Sequence, residues 1–320
     1  MQTTTPAAVS KDALTFAVLG PGGVGGLLAA LLSRAGHRVI CLAGDDTART
    51  LRESGIHVRS GRFGEFTAKV AATAELPETS GPADTADTTA AVDAVLVAVK
   101  HTNLDAALAR VPAKALGDAL VVPFLNGVEH PAALRARYGD DRVAPAVIRV
   151  ESTRTAPGMI EHASPFVEID LAGDPVPRER LAALSAAFTA AGPATRVLPD
   201  ETAALWAKMS FLAPFALLTT LYGLPLGDIR TRHRAELTAL VEETAAVSLA
   251  CGGPADPGQA LARYDTFPPA TRSSMQRDAE AGRPLELDAI GGALLRAAER
   301  HGVDVPVATR VVRELAAGDR

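Results

Sequence analysis

Residues Gly20-Pro21-Gly22-Gly23-Val24-Gly25 fit the pattern G-x-G-x-x-G. In that pattern the first glycine permits a tight turn and the second lets the backbone approach a pyrophosphate. The third allows a helix to pack closely on a strand. A helix that opens at such a loop adds unpaired N–H groups and a partial positive charge, both suited to phosphate. The chemistry on offer at Gly20, Pro21, Gly22, Gly23, Val24 and Gly25 is the binding of a dinucleotide. In a chain with 27 glycines the same letters also describe an ordinary strand-to-helix turn, so their weight comes from the surrounding elements.

Two lysines stand out beside the loop. Five residues are Lys against 27 Arg, so the chain uses Arg wherever a positive charge suffices, and a Lys marks a need for a compact amine. Lys100 ends an apolar run at 93–99; strand C-termini in open α/β sheets face the ligand crevice. The bland reading is a solvated strand end. Lys208 sits in one of the most apolar segments of the chain. Burial of an amine lowers its pKa toward values useful for proton transfer; the competing reading is a lysine whose head snorkels to the surface.

These groups need elements to hold them. Residues 14–19 form a short apolar run ended by Gly20 and read as a buried strand. Residues 23–34 have the length and Ala/Leu content of a helix stopped by Gly36. Residues 38–43 are a second apolar strand. The opening is therefore β-α-β with a right-handed crossover and parallel strands, the context that the glycine motif requires. Residues 93–99 suit a strand covered on both faces. Residues 103–111 read as helix, 119–123 as a strand ending before Asn126-Gly127, and the Pro/Thr/Ala/Asp-rich 77–89 as a surface loop.

Beyond residue 142 the pattern changes. Residues 143–152, 159–162 and 166–171 read as strands, 178–191 as helix and 195–198 as a last short strand. From Pro199 onward helix dominates. Asp200 caps a helix running to Tyr222, and 232–251, 270–281, 286–301 and 305–317 follow. The expected fold is α/β: a Rossmann-type doubly wound sheet over 13–198, then an all-helical substrate and dimerisation domain over 199–320. Residues 1–12 read as a disordered tail.

Composition narrows the function classes. At 320 residues, 48% hydrophobic and 22% charged, the chain has enough material for two globular domains. Net charge is −5 with dispersed arginines, which argues against a nucleic-acid footprint. Cys41 and Cys251 lack paired spacing and no His pair has metal-ligand spacing, so neither a disulfide framework nor a bound metal is expected. The N-terminal dozen residues lack the apolar region of a secretory signal. The longest apolar stretch, 211–218, is shorter than the roughly 20 residues that span a bilayer. A cytoplasmic protein with no membrane partner is expected.

Taken in order, these residues resemble the ketopantoate reductase (2-dehydropantoate 2-reductase) family, over about residues 14–313. The resemblance is carried by the glycine loop, Lys100, Asn126-Gly127, Trp206-x-Lys208, Arg272-Ser273-Ser274-Met275-x-x-Asp278, Glu286-x-Asp288, Gly291-Gly292 and His301-Gly302-x-x-x-Pro306. It implies reduction of the C2 carbonyl of a branched 2-oxoacid by NADPH, with NAD left open; the apolar faces of the helical domain separately suggest a homodimer. Lys208 matches the family's catalytic lysine, which polarises and protonates the carbonyl oxygen. Glu286 matches the glutamate that organises the catalytic site and its cofactor. Ser274 matches a substrate-binding serine, and Lys100 and Asn126 match cofactor-contacting positions, Asn126 also lying toward substrate.

The chain departs from the family at four places. The asparagines expected four and eight residues after the lysine are Leu212 and Ala216, with Pro214 between them. A further substrate asparagine is Leu226, and the basic residue usual near the end of the second strand is Gly44. Asp45 and Asp46 follow it, either for ribose hydroxyls or as caps of the next helix. A site that loses hydrogen-bond partners loses its preference for a hydroxylated substrate, so the expected substrate is a 2-oxoacid other than ketopantoate or a larger, more apolar carbonyl compound. Two other readings compete: a two-domain dehydrogenase of the 3-hydroxyacid, imine or opine type, and a non-catalytic dinucleotide-binding sensor or regulator.

Overall fold

The computed structural model describes residues 13–76 and 91–318. The expected tail at 1–12 and the loop expected at 77–89 lie outside them. The chain divides into two compact units. The first holds residues up to Val99, then Asn103–Leu125 and Pro131–Pro199; the second holds Lys100–Thr102, Asn126–His130 and Asp200–Arg320.

In chain order the first unit runs β1 (Thr15–Leu19), α1 (Gly23–Arg34), β2 (Arg38–Leu42), α2 (Asp45–Ser54), β3 (Ile56–Ser60), β4 (Gly64–Ala68), β5 (Ala71–Thr73) and β6 (Ala94–Val97). It continues through α3 (Leu104–Leu108), β7 (Leu120–Pro123), α4 (His130–Tyr138), β8 (Ala146–Arg149), β9 (Ser152–Ala156), β10 (Met159–His162), β11 (Glu168–Leu171), α5 (Arg178–Ala191) and β12 (Ala194–Val197). Its main sheet has the order β5-β2-β1-β6-β7, with every pairing parallel. The unbroken apolar runs of these strands follow from burial on both faces. Phe16 and Val18 of β1 pack with Leu27, Leu28, Leu31 and Leu32 of α1, while the alternate residues Ala17 and Leu19 pack with Leu104, Leu108 and Leu134 on the other face.

The strands after residue 142 do not continue that sheet. Residues 143–152, read as one strand, are two: β8 joins β11 and β12 in a three-stranded sheet, whereas β9 joins β10, β3 and β4 in a four-stranded one. The β3–β4 hairpin had no place in the sequence reading, and β10 pairs with β3 in parallel across about a hundred residues of chain. This second sheet explains α1. Residues 25–32 are all buried because the helix lies between β1–β2 on one side and β9–β10 on the other.

The second unit is α6 (Glu201–Tyr222), α7 (Leu226–Arg232), α8 (Arg234–Ala250), α9 (Pro257–Thr266), α10 (Ser274–Glu280), a π-helical turn (Asp288–Gly292), α11 (Ala293–His301) and α12 (Pro306–Gly318). Asp200 caps α6, its side chain accepting the Ala203 N–H at 2.8 Å. At 22 residues, with an 18-residue stretch of mean hydropathy 1.4, α6 is longer than the 211–218 stretch suggested and meets the length and composition of a membrane span. Its neighbours α8, α10 and α12 instead make it the core helix of this unit, with Trp206, Met209, Leu217 and Leu218 at most 4% exposed. Residues 286–301, read as one helix, begin as the π turn, and of residues 270–281 the helix holds only Ser274–Glu280.

Candidate functional site

The glycine loop is shaped by close backbone approaches within the first unit. Gly20 has φ +85°, and a Cβ there would lie 2.5 Å from Val99 Cγ1. A Cβ on Gly25 would collide with the Gly20 carbonyl oxygen, so the helix start closes down on the strand end. Gly22 is different: the nearest atom to a Cβ there is Gly20 O at 4.0 Å, leaving that side open. Gly23 and Gly26 answer to packing, since a Cβ on them would meet the Ser152 backbone of β9 and the Ile160 side chain of β10. The Ser152 hydroxyl also donates to Gly23 O at 2.8 Å. The helix has no side-chain N-cap, so no side chain occupies its first amides. An open, amide-lined turn at the C-terminal end of β1 fits a pyrophosphate.

Beside it, Gly20 N–H donates to Leu42 O at 3.2 Å, which ties the loop to the end of β2. Gly44 is the N-cap of α2, without a side-chain cap, and Asp45 and Asp46 occupy the first turn. Neither acid therefore caps the helix; Asp46 accepts from Arg49 Nη2 at 2.6 Å.

The second unit gathers the other residues singled out in the sequence. Glu286 is 8% exposed, and its carboxylate accepts from two short segments that follow β6 and β7. One oxygen takes the His101 backbone N–H at 2.9 Å and the other takes Asn126 Nδ2 at 2.9 Å. Next to His101, the Lys100 ammonium lies 2.5 Å from Asp278 Oδ2. Asp278 is 3% exposed and also accepts from Arg283 Nε at 2.9 Å. Asp278 stands four residues after Ser274, one turn along α10. Lys100, Asn126, Glu286 and the helix carrying Ser274 are thus drawn into one network.

Around Glu286 the backbone is unusual. The π turn begins two residues later, a wide-turn device frequent at functional sites. Gly127, at φ +89°, approaches the Ala289 carbonyl so closely that any Cβ would collide with it. Arg296 closes the arrangement, with Nη2 2.7 Å from Glu129 Oε2 and Nη1 2.7 Å from Asp288 Oδ1. The guanidinium bonded to Asp288 holds that carboxyl below its ordinary value of 3.8. His101, Asp278, Glu129 and Arg296 were assigned no role from sequence. The i, i+4 spacing of Ser274 and Asp278 could have flagged one of them; the rest are joined only by folding.

Lys208 is half-buried on α6, the helix against which α10 and the π turn pack. Ser273 is the N-cap of α10, accepting from Gln276 N at 3.0 Å and from the Thr219 hydroxyl of α6 at 2.8 Å. Ser274 is the first residue of that helix and is exposed, and among the described residues its hydroxyl has no partner. Of the three positions where asparagine is replaced, Leu212 is half-buried on the Lys208 side of α6. Ala216 (1% exposed) and Leu226 (0%) belong to the core. Among the described residues no cluster of His, Cys, Asp and Glu could hold a metal.

Comparison with known proteins agrees with this architecture. The family profile of ketopantoate reductase PanE/ApbA matches residues 16–172, and that of its C-terminal region matches 200–318. The chain is 30% identical over 310 residues to the uncharacterized oxidoreductase YkpB of Bacillus subtilis, covering 94% of this chain and 98% of that protein. It is 29% identical over 306 residues to the 2-dehydropantoate 2-reductase of Caulobacter vibrioides, covering 93% and 97%. The crystal structure of 2-dehydropantoate 2-reductase from Methylococcus capsulatus superposes with a TM-score of 0.83 at 28% identity, covering 96% and 97%. With its Rossmann-type and helical units and profile matches over most of its length, the chain belongs to the ketopantoate reductase family of NAD(P)H-dependent oxidoreductases.

Proposed function

We propose that the chain reduces a 2-oxoacid to the 2-hydroxyacid, with Lys208 as general acid. A bound nicotinamide dinucleotide supplies the hydride. Lys208 Nζ hydrogen-bonds the carbonyl oxygen and passes it a proton as negative charge develops there. Ser274 Oγ, uncommitted among the described residues, binds substrate. Asn126 and Glu286 fix the segments beside them for cofactor and substrate, and Lys100 contacts the dinucleotide. The resemblance implies NADPH as donor, with NADH the other nicotinamide that the glycine loop can take.

The observation that carries this reading is the Glu286 carboxylate, which holds Asn126 and the backbone next to Lys100 through two bonds of 2.9 Å. A fold alone has no need to assemble these residue types around one buried acid, whereas a catalytic site does. The substrate proposed is a 2-oxoacid other than ketopantoate. Leu212 offers no hydrogen bond where the family has one, and Ala216 and Leu226 are sealed in the core.

The test is oxidation of NADPH or NADH, followed at the reduced-nicotinamide absorbance band, across a panel of 2-oxoacids with ketopantoate included. Turnover on other 2-oxoacids, lost in Lys208→Ala, is the expected result. Efficient turnover of ketopantoate would overturn the substrate assignment. Dinucleotide binding without turnover on any carbonyl compound would favour a sensor.

A further inference from the structure

The end of β2 bears on which nicotinamide dinucleotide the first unit takes. We infer that this chain selects NADH over NADPH, with Asp45 as the residue that sets the choice. The inference rests on the dinucleotide-dependent reading above. The glycine loop carries the binding site itself; the β2 loop decides only which adenosine ribose the site accepts.

In a Rossmann-type unit the residues just past β2 meet the adenosine ribose. A carboxylate there accepts from the 2′- and 3′-hydroxyls, while an Arg accommodates a 2′-phosphate. Here Gly20 N–H bonds Leu42 O, so this end of β2 lies beside the glycine loop. The next residues are Ala43, Gly44, Asp45 and Asp46. Asp45 is exposed, and among the described residues its carboxylate has no partner, so both oxygens are available as acceptors.

The neighbouring charges point the same way. Ala43 N–H donates to Thr73 O, which sets the end of β5 alongside, and exposed Glu75 follows it. Asp45, Asp46 and Glu75 make this edge anionic. The cations nearest in sequence are engaged: Arg49 Nη2 lies 2.6 Å from Asp46, and Arg52 Nη1 donates to Ala72 O at 2.8 Å. A 2′-phosphate carries up to two negative charges at neutral pH and would enter a field of like sign without a guanidinium to receive it.

Gly44 adds a geometric point. It has φ −64° and ψ 157°, which any residue adopts, and a Cβ built there meets nothing within 4 Å. The backbone would tolerate an arginine at Gly44, so its absence is a chemical choice and not a steric one.

The experiment titrates the purified full chain with NADH and with NADPH, following nicotinamide fluorescence or heat of binding, with no oxoacid present. NADH should bind about tenfold tighter or more, the scale of a lost hydrogen-bonded pair plus like-charge repulsion. Asp45→Asn should narrow that ratio severalfold, and Gly44→Arg/Asp45→Ser should reverse it, with thermal melting used to check that each variant is folded. NADPH binding equal to or tighter than NADH overturns the selectivity, and an unchanged ratio in folded Asp45→Asn overturns the role of Asp45. Failure of both dinucleotides to bind overturns this inference together with the reductase reading. An NADPH complex at least as tight as the NADH complex overturns the inference alone.

Discussion

In the proposed reaction Lys208 and Glu286 have different parts. A general acid must release its proton to the developing oxyanion, so removing it costs turnover far more than binding. Lys208→Ala is expected to lower kcat about 10²- to 10⁴-fold and to leave dinucleotide affinity near that of the wild type. Steady-state kinetics and fluorescence titration read the two separately; a loss confined to affinity would remove Lys208 from the chemical step. The part proposed for Glu286 is geometric, because both its oxygens already accept N–H donors, from His101 and Asn126. Burial pushes the Cys41 thiol up to about 12, so it carries almost no thiolate at neutral pH.

The elements that set the site are short and irregular. The π turn Asp288–Gly292 is where an α-helix would otherwise have begun, directly after Glu286. Its Ala289 carbonyl meets Gly127, so the turn and the segment after β7 fit only if residue 127 lacks a side chain. Gly127→Ala meets both a backbone collision and an unfavourable φ of +89°. The expected cost is about 1–3 kcal/mol, read as a lower urea midpoint, with weaker dinucleotide binding because Asn126 moves with its neighbour. An unchanged midpoint and affinity would show that the turn is not under this constraint. In the first unit, α1 depends on glycines for two contacts: Gly25 on the β1 side and Gly23 on the β9 side.

At the scale of the whole molecule, acid stability is expected to depend on the three-stranded sheet. Asp170 on β11 is 5% exposed and bonds Arg149 of β8 at 2.5 Å and Arg196 of β12 at 2.7 Å. Burial alone would raise its pKa, but the two guanidiniums together hold it below the ordinary 3.8. A carboxyl depressed on folding stabilises the native state above its unfolded pKa, and that stabilisation is lost as pH falls through the folded value. Asp170→Asn should therefore be less stable than the wild type at pH 7 by about 2 kcal/mol. The gap should begin to narrow as pH falls below about 4 and go on closing as the wild-type carboxyl takes up its proton at still lower pH. Chemical denaturation of both proteins at pH 7 and pH 3 tests this, and an equal gap at both values would contradict it.

Local signals made much of this protein legible. The glycine loop between a strand and a helix, the limits of α1, β10 and α5, and the Asp200 cap of α6 can all be read from neighbours a few residues apart. The chemically distinctive side chains could be named for the same reason: a lone Lys in an apolar helix or a Ser-Ser-Met run is visible without a fold. Pairings between distant segments were not legible, because no short-range pattern records them. The parallel union of β3 with β10 and the Lys100–Asp278 and Asn126–Glu286 contacts each join residues about a hundred or more apart, and the split of 143–152 between two sheets depends on which partner each half finds. Sequence by itself determined which groups are available for chemistry and which helices and strands carry them. The tertiary structure decided which of those groups meet, since a buried carboxylate such as Glu286 finds its donors only when chain closure brings two separate loops to it.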